Sequence, residues 1–89
     1  MKALKTDKAP AAIGPYSQAI EVNGFVFASG QIPLNPATGE FVEGGIKEQT
    51  RQALNNAREI LRSAGLDLSN VVKTSVMLAD TKYFGEMNE

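Results

Sequence analysis

The sequence predicts a single α+β domain, on three observations. An Asn23-Gly24 pair sits between two apolar runs, a helical period runs from Ile46 to Ala64, and a β-branched run follows at residues 71–79. Asn-Gly in that setting is the strongest short-range hairpin signal, because both central residues of a type I′ turn take positive φ. Residues 17–22 and 25–30 are therefore expected as antiparallel strands. Before them, residues 2–6 are expected as a short edge strand, and residues 9–15 as a connector in which Pro10 and Pro15 each remove a backbone donor. After them, residues 33–40 read as a loop through Asn-Pro and Thr-Gly turn chemistry, with a brief extended piece at Phe41 and Val42.

From Ile46 the period changes. Ile46, Thr50, Ala53, Leu54, Ala57, Ile60, Leu61 and Ala64 are spaced by three and four, one face of a helix. Lys47, Glu48, Arg51, Arg58, Glu59 and Arg62 fall largely off that stripe and read as a solvated face. Gly65 is expected to end the helix in a left-handed cap. The strand at 71–79 follows from its β-branched residues. A strand–helix–strand crossover of this length favours parallel strands joined right-handedly. Asp80 is an expected N-cap for a second helix over 81–89, with Phe84, Met87 and Tyr83 turned inward. So short a helix is marginal, and the layer it closes is incomplete, so the chain is expected to be the N-terminal part of one domain over 1–89.

Phe25-Val26-Phe27-Ala28 places four apolar neighbours on one strand. Successive strand residues face opposite sides, so both faces of that strand ask for cover. One helix covers one face; the other must meet further chain or another subunit, and subunit contact is expected. An 89-residue chain buries only about 60–65% of its unfolded surface. Cysteine and histidine are both absent, which excludes a disulfide framework, an ordinary zinc site and Cys–His or Ser–His–Asp nucleophilic machinery within these residues. Oligomerisation is the stabiliser left. Nine basic against ten acidic residues, with no run of like charge, argue against nucleic-acid binding through a basic face. Residues 1–6 lack the apolar core of a signal peptide, and no stretch approaches the roughly 20 apolar residues of a membrane span. A soluble, cytoplasmic protein without a membrane partner is the expectation.

Two blocks carry the candidate chemistry: Ile13-Gly14-Pro15-Tyr16-Ser17-Gln18 and Ala28-Ser29-Gly30-Gln31-Ile32-Pro33. Each sets hydroxyls beside glycine and proline at the edge of an apolar segment, and the hairpin brings both towards one end of the sheet. Tyr16 reads either as a half-buried core tyrosine or as a ring facing a ligand. Ser29 and Gly30 read either as small residues where backbones approach closely or as the wall of a cleft. Gln18 is as compatible with an exposed strand position. Glu40 and Glu43 flank a loop with no base opposite them, a poor setting for general acid–base work.

These two blocks, with Glu48-Gln49-Thr50-Arg51-Gln52-Ala53-Leu54-Asn55-Asn56 and Val72-Lys73-Thr74-Ser75-Val76, resemble the reactive-intermediate deaminase (RidA/YjgF/RutC) family from about Ala9 to Glu89. The resemblance implies a chorismate-mutase-like fold, a mixed sheet with helices on one face, and a homotrimer with ligand clefts between subunits. It implies hydrolysis of enamine and imine carboxylates (2-aminoacrylate/2-iminopropanoate and 2-iminobutanoate) to 2-oxo acids and ammonia, with no cofactor. A protonated imine is already electrophilic, so the protein need only hold the carboxylate, orient the imine and place a water. By motif position Tyr16 and Ser29 would line the cleft, the Gly30 backbone would lie close to the ligand, and Asn88 would contribute a side-chain amide. The family's carboxylate-binding arginine lies in a Pro-Ala-Arg segment and its water-placing acid on a later strand. Neither segment occurs in residues 1–89, so no catalytic residue and no metal ligand is assigned within them. The competing expectation from the same resemblance is a non-catalytic trimeric module that binds small ligands in a regulatory or chaperone-like role.

Overall fold

In a computed structural model, residues 2–11, 17–78 and 80–88 are described. Strands β1 (Lys2–Leu4), β2 (Ala19–Val22) and β3 (Phe25–Ala28) form one antiparallel sheet in that order. Leu4 pairs with Ala19, and Ala19 with Ala28, so one register line crosses all three strands. The β2–β3 turn is the expected one, with Asn23 at φ 50° and Gly24 at φ 81°. Both hairpin strands stop two residues short of the expected outer ends. The Ser29 N–H still reaches the Gln18 carbonyl at 3.0 Å, closing the ladder just beyond the strands.

Helix α1 (Ile46–Ser63) lies against the face carrying Leu4, Ala19 and Val26. Its Ile60 is fully buried against Leu4, Ala9 and Ala19, with Val26 and Ala64 packed at the edge. At the N-terminus the Gly45 N–H donates to Glu48 Oε2 at 2.9 Å, half of a capping box, since glycine brings no side chain for the reciprocal bond. Those backbone hydrogen bonds hold the Glu48 carboxyl below its ordinary range. At the C-terminus Leu66 N–H donates to Leu61 O and Gly65 N–H to Arg62 O, with Gly65 at φ 77°. This pair is a Schellman motif, the left-handed cap expected there.

Asp67 then caps the 3₁₀ turn Leu68–Asn70 through Leu68 N–H (2.7 Å) and takes a two-pronged contact from Arg58 at 2.8 and 3.2 Å. Arg62 Nε adds a second cation 3.6 Å from Asp67 Oδ2. The Arg58 guanidinium holds the Asp67 carboxyl below its ordinary value, and Asp67 in turn raises Arg58. All three groups are partly solvated, so the cluster fixes the turn more than it stabilises the fold.

Four expectations need correction. The buried helix stripe passes through Asn56, Ile60 and Leu61 and leaves Leu54 47% exposed; Asn56 turns inward, where its amide reaches the carbonyls of Ile32 and Leu34. The second helix begins as a 3₁₀ turn (Thr81–Tyr83), capped by Asp80 accepting from Lys82 N–H, and continues as α2 (Phe84–Met87). Phe84 faces solvent there, while Tyr83 and Met87 are half-buried. Residues 71–78 pair with no strand among the described residues, and Val72 and Met77 are almost fully exposed. β-branched composition favours extended backbone, but a strand needs a neighbour to complete its ladder. The expected mixed sheet is thus represented among the described residues by its antiparallel part, with no parallel pair.

The opposite face of the sheet is uncovered by α1. Phe25 and Phe27 stand on it, over 60% exposed, with ring centroids 6.4 Å apart. Of the two-sided apolar run, only Val26 is half-buried against the core; Phe25 and Phe27 on the open face and Ala28 on the other stay exposed. Among the described residues no helix is long and apolar enough to cross a membrane.

Candidate functional site

The closing end of the hairpin carries a pocket of about 240 Å³. Ser29, Gly30 and Gln31, which follow β3, line it together with two stretches of wall, Pro10–Ala11 and Ile32 with Leu34. Its volume falls below the roughly 300–1,000 Å³ of drug-sized sites, which suits a small organic molecule. None of the lining residues is charged. A wider hollow beside β1, lined partly by Lys5, Thr6 and Asp7, shares Gln18 and Ala11 with it but holds neither Ser29 nor Gly30.

Ser29 is fixed twice to one atom. Its N–H and its Oγ both lie 3.0 Å from the Gln18 carbonyl oxygen. A carbonyl can only accept, so the hydroxyl proton points at Gln18 and the oxygen's lone pairs remain for a donor in the pocket. Gln31 Nε2 donates to the Ser29 carbonyl at 3.3 Å.

The walls lie outside the named strands; Leu34 makes one isolated bridge to Phe41 and its N–H donates to Ile32 O at 2.8 Å, and side-chain amides supply further donors to the wall carbonyls. Gln18, 4% exposed, supplies them on one side: its Nε2 donates to Thr6 O and Pro10 O at 3.1 and 2.8 Å, while its Oε1 accepts from Thr6 N–H at 2.7 Å. Asn56, 1% exposed, supplies them on the other: its Nδ2 donates to Ile32 O and Leu34 O at 3.1 and 2.9 Å. Gln52 Nε2 donates to Asn56 Oδ1 at 2.8 Å, so both N–H groups and the oxygen of that amide are engaged.

Of the residues proposed from sequence, Ser29 and Gly30 come together in the pocket. Tyr16 lies outside the described residues. Asn88 stands exposed at the end of α2 and lines neither hollow. The two buried amides were not legible as site residues. Gln18 carries no signal, since alternation alone allows it either face. Asn56 carries one: it stands four residues before Ile60 and four after Gln52, a polar residue in register with the buried stripe. No group of three or more His, Cys, Asp or Glu among the described residues could hold a metal.

Residues 6–89 match the endoribonuclease L-PSP family. The chain belongs to that family, the YjgF/RidA/RutC proteins. It is 54% identical over 88 residues to the mouse protein named 2-iminobutanoate/2-iminopropanoate deaminase, covering 99% of this chain and 65% of that one. This chain therefore spans about two thirds of that relative's length. Among solved structures, the Escherichia coli YjgF gene product superposes with a TM-score of 0.94 at 42% identity, over 99% of this chain and 68% of that one. E. coli TdcF with bound serine superposes with a TM-score of 0.93 at 39% identity, over 99% and 68%. The fold class is that of the YjgF/RidA proteins.

Proposed function

We propose that this protein hydrolyses small 2-imino acids, 2-iminobutanoate and 2-iminopropanoate or their enamine tautomers, to 2-oxo acids and ammonia. The observation that carries the proposal is the match of 99% of this chain, at 54% identity, to a relative named for that activity. The pocket supports it. Hydrolysis adds water to the C=N carbon, then expels ammonia from the tetrahedral adduct. The imine is electrophilic once protonated, so orientation and a placed water supply most of what is needed, and no cofactor is invoked. Ser29 Oγ, with its proton committed to Gln18 O, is set to accept from the iminium N–H or from the attacking water. The Gly30 backbone lies beside it without a side chain to block approach.

The substrate's carboxylate needs a cation, and no pocket-lining residue is charged. We assign that cation to a position outside residues 1–89 or to a neighbouring subunit. The latter fits a homotrimer in which the open Phe25 and Phe27 face meets another copy. Tyr16 and Asn88 complete the cleft in this reading. The protein acts in the cytoplasm, without nucleic-acid or membrane partners. Its balanced charge and lack of histidine disfavour ribonuclease chemistry despite the family's description.

The relative solved with bound serine favours a second reading, a non-catalytic binder of small amino or oxo acids. The two separate in one assay, in which threonine dehydratase generates 2-iminobutanoate and 2-oxobutanoate formation is followed. Acceleration over spontaneous hydrolysis supports the deaminase; an unchanged rate with demonstrable binding of 2-oxobutanoate supports the binder.

A further inference from the structure

We infer that Gln18 and Asn56 are positioning residues: two buried side-chain amides that set the separation of the backbone walls around Ser29 and Gly30, and thereby the pocket's affinity for a small 2-oxo or 2-imino acid. The inference rests on the functional reading above. Neither wall belongs to a helix or a named strand, and the isolated Leu34–Phe41 bridge ties one wall to its own loop, not to the other wall. Each is instead held from behind by one amide. Gln18 Nε2 bonds Pro10 O at 2.8 Å, and Asn56 Nδ2 bonds Ile32 O and Leu34 O at 3.1 and 2.9 Å.

The orientation of both amides is dictated by chemistry. Their nitrogens face carbonyl oxygens, which only accept, and their oxygens face the Thr6 N–H and the Gln52 amide, which donate. Turning either amide over would set oxygen against oxygen. An apolar side chain of similar size would fill the same space, but it could not hold a carbonyl at a fixed distance. The two anchors also converge. The main-chain oxygen of Gln18 fixes the Ser29 hydroxyl, so one residue links a wall and the hydroxyl. Asn56 reaches its wall from the middle of α1, across 24 and 22 residues of chain, and so references the pocket to the rigid helix. Misplacing a contact group by about 1 Å can cost as much as 100-fold in rate, so a loosened wall is expected to show in binding.

A packing role and a positioning role separate in the folded protein. A residue needed only for stability lowers the folded fraction and leaves the affinity of folded molecules unchanged. A positioning residue changes that affinity. The test is a titration of ¹⁵N-labelled protein with 2-oxobutanoate, read at the Gly30 and Gln31 amides under conditions where circular dichroism shows each sample folded. Wild type is expected to shift saturably, and Gln18→Met and Asn56→Leu each to weaken the dissociation constant by about tenfold. Folded variants that bind as wild type does would overturn the inference while leaving the functional reading standing. A wild-type protein silent at Gly30 would overturn the functional reading and this role with it. Should either variant fail to fold, Gln18→Asn and Asn56→Ser, which shorten the anchor without removing all hydrogen bonding, carry the same comparison to the same two outcomes.

Discussion

Replacing Asn56 by aspartate isolates what its amide does, because shape is kept and only the two donors are lost. The oxygen that accepts from Gln52 remains. The group that donated to Ile32 O and Leu34 O becomes a second carboxylate oxygen facing both of them. Ile32 O keeps the Leu34 N–H at 2.8 Å and Ile32 is partly solvated, so the main cost falls on Leu34 O, about 1–3 kcal/mol if water cannot reach it. A loss of about 1–3 kcal/mol at pH 7 follows, and for a domain of this size it lowers Tm by roughly 5–20 °C. The sign of the pH dependence is a second signature. Burial beside two carbonyl oxygens raises the folded-state pKa of the introduced carboxyl above its unfolded value of about 3.9, and its protonated form can donate to one carbonyl again. The variant's deficit relative to wild type is therefore smallest near and below about pH 4 and grows as pH rises through the elevated value. Urea unfolding of both proteins, followed at 222 nm at about pH 4 and pH 7, measures it. A deficit under about 1 kcal/mol at pH 7, or one equal at both pH values, would refute the account of Asn56 as a donor to the loop.

Further outcomes follow from other parts of the molecule. Gly44 sits at φ 112°, and a Cβ there would come within 2.7 Å of Glu48 Cγ, so Gly44→Ala is expected to lose about 1–3 kcal/mol by thermal melting. Asp67 has a folded pKa below its ordinary 3.8, so its contribution is full above that value and disappears as pH falls through the lowered one. Asp67→Asn should therefore flatten part of the fall in Tm between about pH 4 and pH 2. Phe27→Asp places a charge on the open sheet face, and light scattering should find wild type trimeric and the variant dissociated; a wild-type monomer would end the trimer proposal. Ser29→Ala removes the acceptor in the pocket, and should raise KM for 2-iminobutanoate with little change in Tm.

Local chemistry made much of the fold legible. Asn23-Gly24 specified the hairpin, Gly65 the helix end and Asp80 the cap of the last turn, because each of these conformations is decided within four residues. Position 54 misled, since spacing alone cannot say how far around the cylinder burial extends, and the inward place of Asn56 depends on loop carbonyls 22 and 24 residues away. Residues 71–78 show the same limit from the other side. Their composition gives extended backbone, but a ladder depends on a neighbour that no local pattern names. Ser29 and Gly30 were proposed from their motif position, and the hairpin brings both into one pocket because they follow the same strand end. Gln18 was not, because its significance lies in carbonyls 8 to 12 residues away that become orphans only once the connector folds across it.

The central claim is that the pocket beneath Ser29 and Gly30 serves hydrolysis of small 2-imino acids. Its most direct test is the rate of 2-oxobutanoate formation from 2-iminobutanoate released by threonine dehydratase, with and without this protein and its Ser29→Ala variant. The account predicts faster formation with wild type, in proportion to protein added, and a weaker acceleration with the variant. A rate indistinguishable from spontaneous hydrolysis at saturating protein, or full acceleration by Ser29→Ala, would contradict it.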